Sequence, residues 1–114
     1  MATELKLKVR QGNDETIQVV VTSDVAGFTL TGKTLEFFIK DRRDRLDSDL
    51  LHTTILTSAL NGGVVVDDPI QRQVTVNVPG SALWKGGEMF YRLDVLDVTA
   101  RKTAIYGVLE VVDT

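Results

Sequence analysis

Apolar and polar residues alternate along much of the chain, most regularly in the stretch from Gly86 to Val98. Successive side chains of a β-strand point to opposite faces, so this alternation predicts a strand with one strongly apolar face. The residues expected to face the core are Met89, Tyr91, Leu93 and Val95, and those expected on the other face are Phe90, Arg92, Asp94 and Leu96. Because this segment holds two aromatic residues in a chain that is only 6% aromatic, we predict that it is a central strand of the main sheet.

Seven further segments are predicted as strands from alternation or from a high content of β-branched residues. They cover residues 3–9, 15–22, 34–40, 50–57, 64–66, 73–78 and 103–112. The first is expected near a sheet edge, because lysines such as Lys6 and Lys8 discourage edge-to-edge pairing. Gly32 is predicted to turn the chain with a positive φ, and Gly107 to mark a bulge or a close backbone contact inside the last strand.

The only helical signal is a single turn. Residues Ser81 to Trp84 predict one helical turn near 81-84, with Ser81 as its N-cap and with Leu83 and Trp84 closing one end of the core. About eight strands at intervals of roughly 8–12 residues indicate an all-β sandwich or barrel. A length of 114 residues predicts one domain, residues 1–114.

Composition narrows the classes of function. A net charge of −3 and a pI of about 5.0 argue against nucleic acid as a main partner. No apolar run approaches the ~20 residues of a membrane span, and the N-terminus lacks the basic and apolar regions of a signal peptide. The absence of cysteine favours an intracellular origin.

Few residues suggest catalytic or metal chemistry. His52 is the one histidine, and without a Gly-x-Ser-x-Gly elbow we expect it to have a surface or packing role. One histidine and no cysteine make a zinc site improbable, and the acidic pairs at 47–49 and 67–68 lack the pattern of a calcium loop. We therefore expect no enzyme activity, no cofactor and no metal.

Several residues suggest contacts with other proteins. Val20 and Phe38 are apolar residues on otherwise polar strand faces, and they would mark a protein contact if they were exposed together. The run from Asp41 to Asp49 holds three arginines and four aspartates, which predicts a solvated loop. Trp84 and Tyr106 could bind a sugar or a partner protein, although for Trp84 a place in the core is favoured.

Four segments, taken in order, carry a resemblance to a known family. They are residues 10–14 (RQGND), 30–37 (LTGKTLEF), 84–95 (WKGGEMFYRLDV) and 106–111 (YGVLEV). Together they resemble the immunoglobulin-like domain found at the N-terminus of the baseplate upper protein of tailed bacteriophages, and in many small phage and prophage virion proteins. The resemblance covers almost the whole chain. It implies an immunoglobulin-like antiparallel β-sandwich of about 7–8 strands.

The resemblance also implies a function. The chain is expected to be a non-catalytic structural protein of a virion, made in the cytoplasm of the host bacterium and docked on tail, baseplate or major capsid subunits. Because it ends at Thr114, where the baseplate protein continues, we expect a stand-alone accessory subunit; whether it is a monomer or a homo-oligomer is left open. The expected protein interface comprises Val20, Phe38, Arg42, Arg43, Arg45 and Tyr106, together with an edge strand open to pairing. The alternatives are a capsid decoration protein and a module that binds host-surface carbohydrate.

Overall fold

The computed structural model describes residues 3–22, 27–49, 52–58, 63–97 and 100–112. These residues form strands and one short helical turn. The strands are β1 (Thr3–Glu4), β2 (Leu7–Arg10), β3 (Glu15–Val20), β4 (Thr34–Lys40), β5 (Thr53–Thr57), β6 (Val64–Asp68), β7 (Gln73–Val78), β8 (Gly87–Leu96) and β9 (Arg101–Val112). No helix within these ranges is long and apolar enough to cross a membrane.

The strands form two sheets that pack face to face. In the larger sheet β1 and β2 both pair with β9, and the order continues β9-β8-β4-β5; the smaller sheet has the order β3-β7-β6. The order β9-β8-β4-β5 is that of strands G, F, C and C′ of an immunoglobulin domain, and β3-β7-β6 is that of B, E and D. The predicted immunoglobulin-like sandwich is therefore confirmed, and β8 is the central strand that its alternation predicted.

The N-terminal segment departs from the expected antiparallel sheet. The predicted strand 3–9 is divided into β1 and β2, and both run parallel to β9. They lie at the edge of the larger sheet, as the lysines predicted. The chain reaches this position from the start of the domain without a hairpin to β9, so its direction is not constrained to be antiparallel.

Strand bounds agree closely with the alternation pattern. The bounds of β4 and β7 are those predicted, whereas β3 ends at Val20 and β9 already begins at Arg101. The predicted strand 50–57 is observed from Thr53, and its residues 50 and 51 lie outside the described ranges. Gly32 has the positive φ that was predicted, at 73°.

The core lies between the two sheets. It contains the predicted inner face of β8, whose residues Met89, Tyr91, Leu93 and Val95 are all buried. At its centre the rings of Phe37 and Tyr91 stack, with centroids 5.5 Å apart and planes 18° from parallel. Stacked aromatic pairs of this kind add to the free energy gained by burying their surface.

One end of the core is closed by Leu83 but not by Trp84. The helical turn occupies Gly80–Ala82 and follows Pro79, so Ser81 lies inside the turn and is not its N-cap. Leu83 is completely buried, whereas 49% of Trp84 is exposed. Leu83 leaves the turn with φ −103° and ψ 52°, which is not an extended conformation, and of the two side chains only that of Leu83 enters the core. The prediction was correct for Leu83 and wrong for Trp84.

The peptide of Leu5 connects the N-terminal segment to the centre of the larger sheet. Its N–H donates to the carbonyl of Tyr106 at 2.9 Å, and its carbonyl accepts a hydrogen bond from the hydroxyl of Tyr91. Gly107 lies directly beside this peptide: a Cβ at that position would stand 2.4 Å from the carbonyl oxygen of Leu5. The predicted close contact at Gly107 is confirmed. Burial raises the pKa of Tyr91 to about 12, so its hydroxyl remains a donor across the physiological pH range.

Gly107→Ala is expected to destabilise the fold by about 3 kcal/mol, because the new methyl group meets backbone at a φ of 155° that L-residues rarely adopt. Gly86→Ala is the matched control. There a Cβ meets only the side chain of Gln11, at 3.3 Å, and the expected loss is below about 1 kcal/mol. Urea unfolding of both variants measures the difference. Equal losses would show that the Leu5 contact does not constrain position 107.

Candidate protein-interaction surface

The outer face of the larger sheet carries a cluster of charged and aromatic side chains. We use "outer face" for the side of β4, β8 and β9 that points away from the core. The strand register aligns its residues in rows: Phe38 is opposite Arg92, which is opposite Tyr106. In the next row Lys40 is opposite Phe90. Cross-strand neighbours lie close enough to interact, so these rows form a connected surface.

Phe38 lies on this outer face but is only 3% exposed. The guanidinium carbon of Arg92 stands 4.1 Å from the centroid of its ring, and that of Arg101 stands 5.7 Å from it. Arginine stacks readily on aromatic rings because the guanidinium is planar and weakly hydrated. The condition that Phe38 and Val20 be exposed together is therefore not met, because two arginines cover the ring of Phe38.

The two arginines are held in place by Asp94, whose side chain is 1% exposed. The carboxylate accepts hydrogen bonds from Nε of Arg92 at 3.0 Å, from Nη1 of Arg101 at 2.9 Å and from Oγ1 of Thr103 at 2.8 Å. Arg101 also pairs with Glu36 at 2.7 Å. Two cations and a hydroxyl compensate the buried charge, as a buried carboxylate requires.

The loop from Asp41 to Asp49 folds against the outer face. Asp47 pairs with Lys40 and with Arg92, the latter at 2.9 Å, and the hydrogen bond from Arg92 is the main cause of its lowered pKa. Arg45 makes a two-pronged bond to Asp41, at 2.9 and 2.8 Å, which lowers the pKa of Asp41 to about 2. Residues 42–44 and 46–48 of this loop are exposed, as predicted, whereas Asp41 is only 7% exposed. Ion pairs therefore join the loop internally and connect it to the sheet.

A shallow pocket of about 280 Å³ opens on the outer face. It is lined by Phe38, Lys40, Arg43, Phe90, Tyr91, Arg92, Thr103, Tyr106 and Gly107. The guanidinium of Arg43 lies 4.6 Å from the centroid of the Phe90 ring. Among the described residues no carboxylate is within ion-pair distance of Arg43, in contrast to Lys40 and Arg92. We call this the arginine–aromatic pocket.

The structure brings together half of the expected interface residues. Phe38, Arg43 and Tyr106 line the arginine–aromatic pocket. Arg42 is exposed and bonds Asp44 at 3.1 and 2.9 Å, whereas Arg45 turns inward to Asp41. Val20 lies on the other sheet and is 53% exposed, so it forms no patch with Phe38.

Sequence reasoning did not include Lys40, Phe90 and Arg92 in this set. The alternation of β8 had already placed Phe90 and Arg92 on one face, apart from the core residues. Alternation does not show which strand pairs with β8. Phe38 and Arg92 are 54 positions apart, and they meet only because β4 pairs with β8 in this register. Within the described ranges no three His, Cys, Asp or Glu side chains come together as possible metal ligands.

Asp94→Asn is expected to destabilise the fold by about 3 kcal/mol, because it leaves Arg92 and Arg101 without their shared buried counter-charge. Asp44→Asn makes the same chemical change at an exposed ion pair, where the free energy of unfolding is expected to change little because solvent screens the pair. Urea unfolding at neutral pH compares the two. A similar small decrease in the free energy of unfolding for both variants would contradict the importance assigned to the Asp94 cluster.

Comparisons with known proteins show no family for the chain. No family model matches the chain, and no curated protein matches it. Twenty-nine chains of solved structures resemble it. One is a DUF4784 family protein from Bacteroides caccae ATCC 43185, with a TM-score of 0.44 and 12% sequence identity over 99% of this chain. The chain spans 23% of the length of that protein.

Proposed function

We propose that the chain is a non-catalytic structural subunit of a tailed-phage virion, docked on tail, baseplate or capsid proteins through the outer face of its larger sheet. Two lines of reasoning support this. The four sequence segments resemble an immunoglobulin-like domain of phage virion proteins. The arginine–aromatic pocket has the composition of a protein-binding surface, since arginine and tyrosine are enriched among residues that dominate binding energy.

The observation that carries the proposed surface is the state of Arg43. Its guanidinium rests on the ring of Phe90, and the residue is exposed beside Tyr106 without a carboxylate partner among the described side chains. The neighbouring cations Lys40 and Arg92 are already paired with Asp47. Arg43 therefore offers free hydrogen-bond donors to an acidic group on a partner, and the ring beneath it keeps the guanidinium in place.

The shape of the pocket fits this purpose better than it fits catalysis. It is shallow, and its described lining contains no pair of a nucleophile and a base within reach of each other. Its support comes from β4, β8 and β9, the Asp94 cluster fixes Arg92, and the ring of Phe90 supports Arg43 before a partner arrives. A pre-organised surface loses little side-chain entropy on binding, so a small interface repeated over many symmetric sites can suffice.

The test uses particles produced from the phage genome that encodes the chain. Mass spectrometry of purified virions is expected to detect the chain at a fixed number of copies per particle. Particles made without the gene are expected to bind the purified chain saturably, up to that number. Absence of the chain from wild-type virions would contradict the virion function itself.

Arg43→Glu is expected to weaken this binding at least about 10-fold, since it reverses the one charge of the pocket that has no carboxylate partner among the described residues. Arg10→Glu is the matched control, because Arg10 is exposed on the edge strand β2, outside the pocket. Its binding is expected to change less than about twofold. Equal binding by both variants would leave the virion function standing but would exclude the arginine–aromatic pocket as the docking surface.

A second candidate, a carbohydrate-binding module, is favoured by one observation. Trp84 is 49% exposed, and aromatic platforms of this kind stack on sugar rings. Because Trp84 is the only tryptophan, its fluorescence reports directly on this site. We expect a red-shifted emission that acrylamide quenches readily. Under this second function, host-surface glycans would shift the emission and protect it from quenching; an unchanged spectrum at saturating glycan would contradict it.

A further inference from the structure

The strands of the described ranges leave four sheet edges open, and three of these edges are protected. The outer edge of β2 carries Lys8 and Arg10, and β6 contains a register irregularity between Val66 and Asp68. None of the residues of β5 is exposed. Lysines, bulges and coverage are the devices by which natural sheets prevent pairing with another chain.

The edge of β3 has none of these devices. Its sequence, ETIQVV, contains no lysine or proline, and its register with β7 runs without a shift from Glu15 to Val20. Thr16, Gln18 and Val20 are exposed. No strand of the described ranges pairs with this side of β3. The segment is therefore a straight, unprotected edge of β-branched residues.

Two hydrogen bonds show which residues of β3 point their backbone N–H and C=O groups to the open edge. The N–H of Val21, just after β3, donates to Arg72 at the β7 side, and the N–H of Asn77 turns away from β3 to Gly63. Asn77 is the register partner of Thr16. Because alternate residues of an antiparallel strand bond to opposite sides, the N–H and C=O groups of Thr16, Gln18 and Val20 point to the open edge.

A groove runs beside this edge. It encloses about 230 Å³, and its lining includes Leu5, Val19, Val20 and Ile105. Leu5 is 43% exposed and Val20 is 53% exposed. A strand added to β3 would place its inward side chains on this apolar lining while its backbone bonded to β3.

The sequence of the edge selects a second copy of the same chain as its partner. Around Gln18, the residues on both sides are β-branched, two in each direction. In an antiparallel pair with a two-fold axis at Gln18, Thr16 of each copy faces Val20 of the other, and the two glutamines face each other. Glutamine amides can bond mutually, β-branched pairs stabilise a sheet, and no like charges are brought together.

We propose that β3 pairs with β3 of a second copy about a two-fold axis at Gln18, which joins the two smaller sheets into one continuous sheet. This pairing uses only the smaller sheet, so the arginine–aromatic pocket on the larger sheet of each copy stays free to bind. A symmetric interface of this kind uses the same patch on both subunits. The inference is independent of the proposed virion function.

Sedimentation equilibrium of the full chain from micromolar to millimolar concentration tests the pairing. A reversible monomer–dimer equilibrium is expected. Gln18→Lys and Gln18→Glu are each expected to weaken the dimer at least about 10-fold, because each places like charges on the axis. Val65→Lys, an exposed position on the opposite edge strand β6, is the control and is expected to leave the equilibrium unchanged. A wild-type chain that stays monomeric, or dimers that tolerate both Gln18 variants, would overturn the proposal.

The register has its own test. An equimolar mixture of the Gln18→Lys and Gln18→Glu variants is expected to restore dimerisation, because opposite charges then meet at the axis. The wild-type chain has no cysteine, so Gln18→Cys introduces a single thiol. Residues paired across hydrogen-bonded antiparallel strands lie about 5.5 Å apart at Cα, within disulfide range, and mild oxidation is expected to cross-link the dimer. No cross-link and no restored dimer would reject this register.

Discussion

The buried carboxylate of Asp94 is the constraint on which the outer face depends. A carboxylate that is 1% exposed must be compensated, and Arg92, Arg101 and Thr103 do this from two neighbouring strands. Because Arg92 and Arg101 form ion pairs with Asp94, their guanidiniums lie over the ring of Phe38 and exclude water from it. The ion pair with Asp94 also orients Arg92 toward Asp47, and the bond between Arg92 and Asp47 connects the charged loop to the sheet.

As a consequence, the cations on the outer face differ in whether they form ion pairs within the domain. Arg92, Arg101 and Lys40 are used internally, in ion pairs with aspartate or glutamate. Arg43 is held only by the ring of Phe90, and among the described residues it meets no carboxylate. The paired cations stabilise the surface, whereas the unpaired one is available to a partner. This distinction depends on side-chain contacts and is not evident from the number of charges in the loop.

Strand positions followed from alternation, because one buried face imposes a period of two on each strand. The inner face of β8 and the bounds of β4 and β7 were predicted for this reason, whereas the close contact at Gly107 was predicted because a glycine inside a strand lets another backbone approach. The direction of β1 and β2 was not, since alternation is the same for parallel and antiparallel pairs. The burial of Phe38 was not predicted because it depends on a cross-strand arginine. The exposure of Trp84 was not predicted because it depends on the geometry of a single turn.

The two proposed contacts use opposite sheets of one small domain. The larger sheet presents a polar, pre-organised face, and the smaller sheet presents an unprotected strand edge. A subunit with both could bind a template through one sheet and a second copy of itself through the other, which would raise its effective affinity by linking two weak contacts. The larger sheet is also where the N-terminal segment is anchored, through the peptide of Leu5.

The most direct measurement of the central claim is a cryo-electron-microscopy reconstruction of the virion at a resolution that shows side chains. We predict that the domain is present in symmetric copies and that the neighbouring subunit contacts Arg43, Phe90 and Tyr106 with an acidic group near the guanidinium. A reconstruction in which the outer face of the larger sheet points to solvent, and another face makes the contact, would contradict the account.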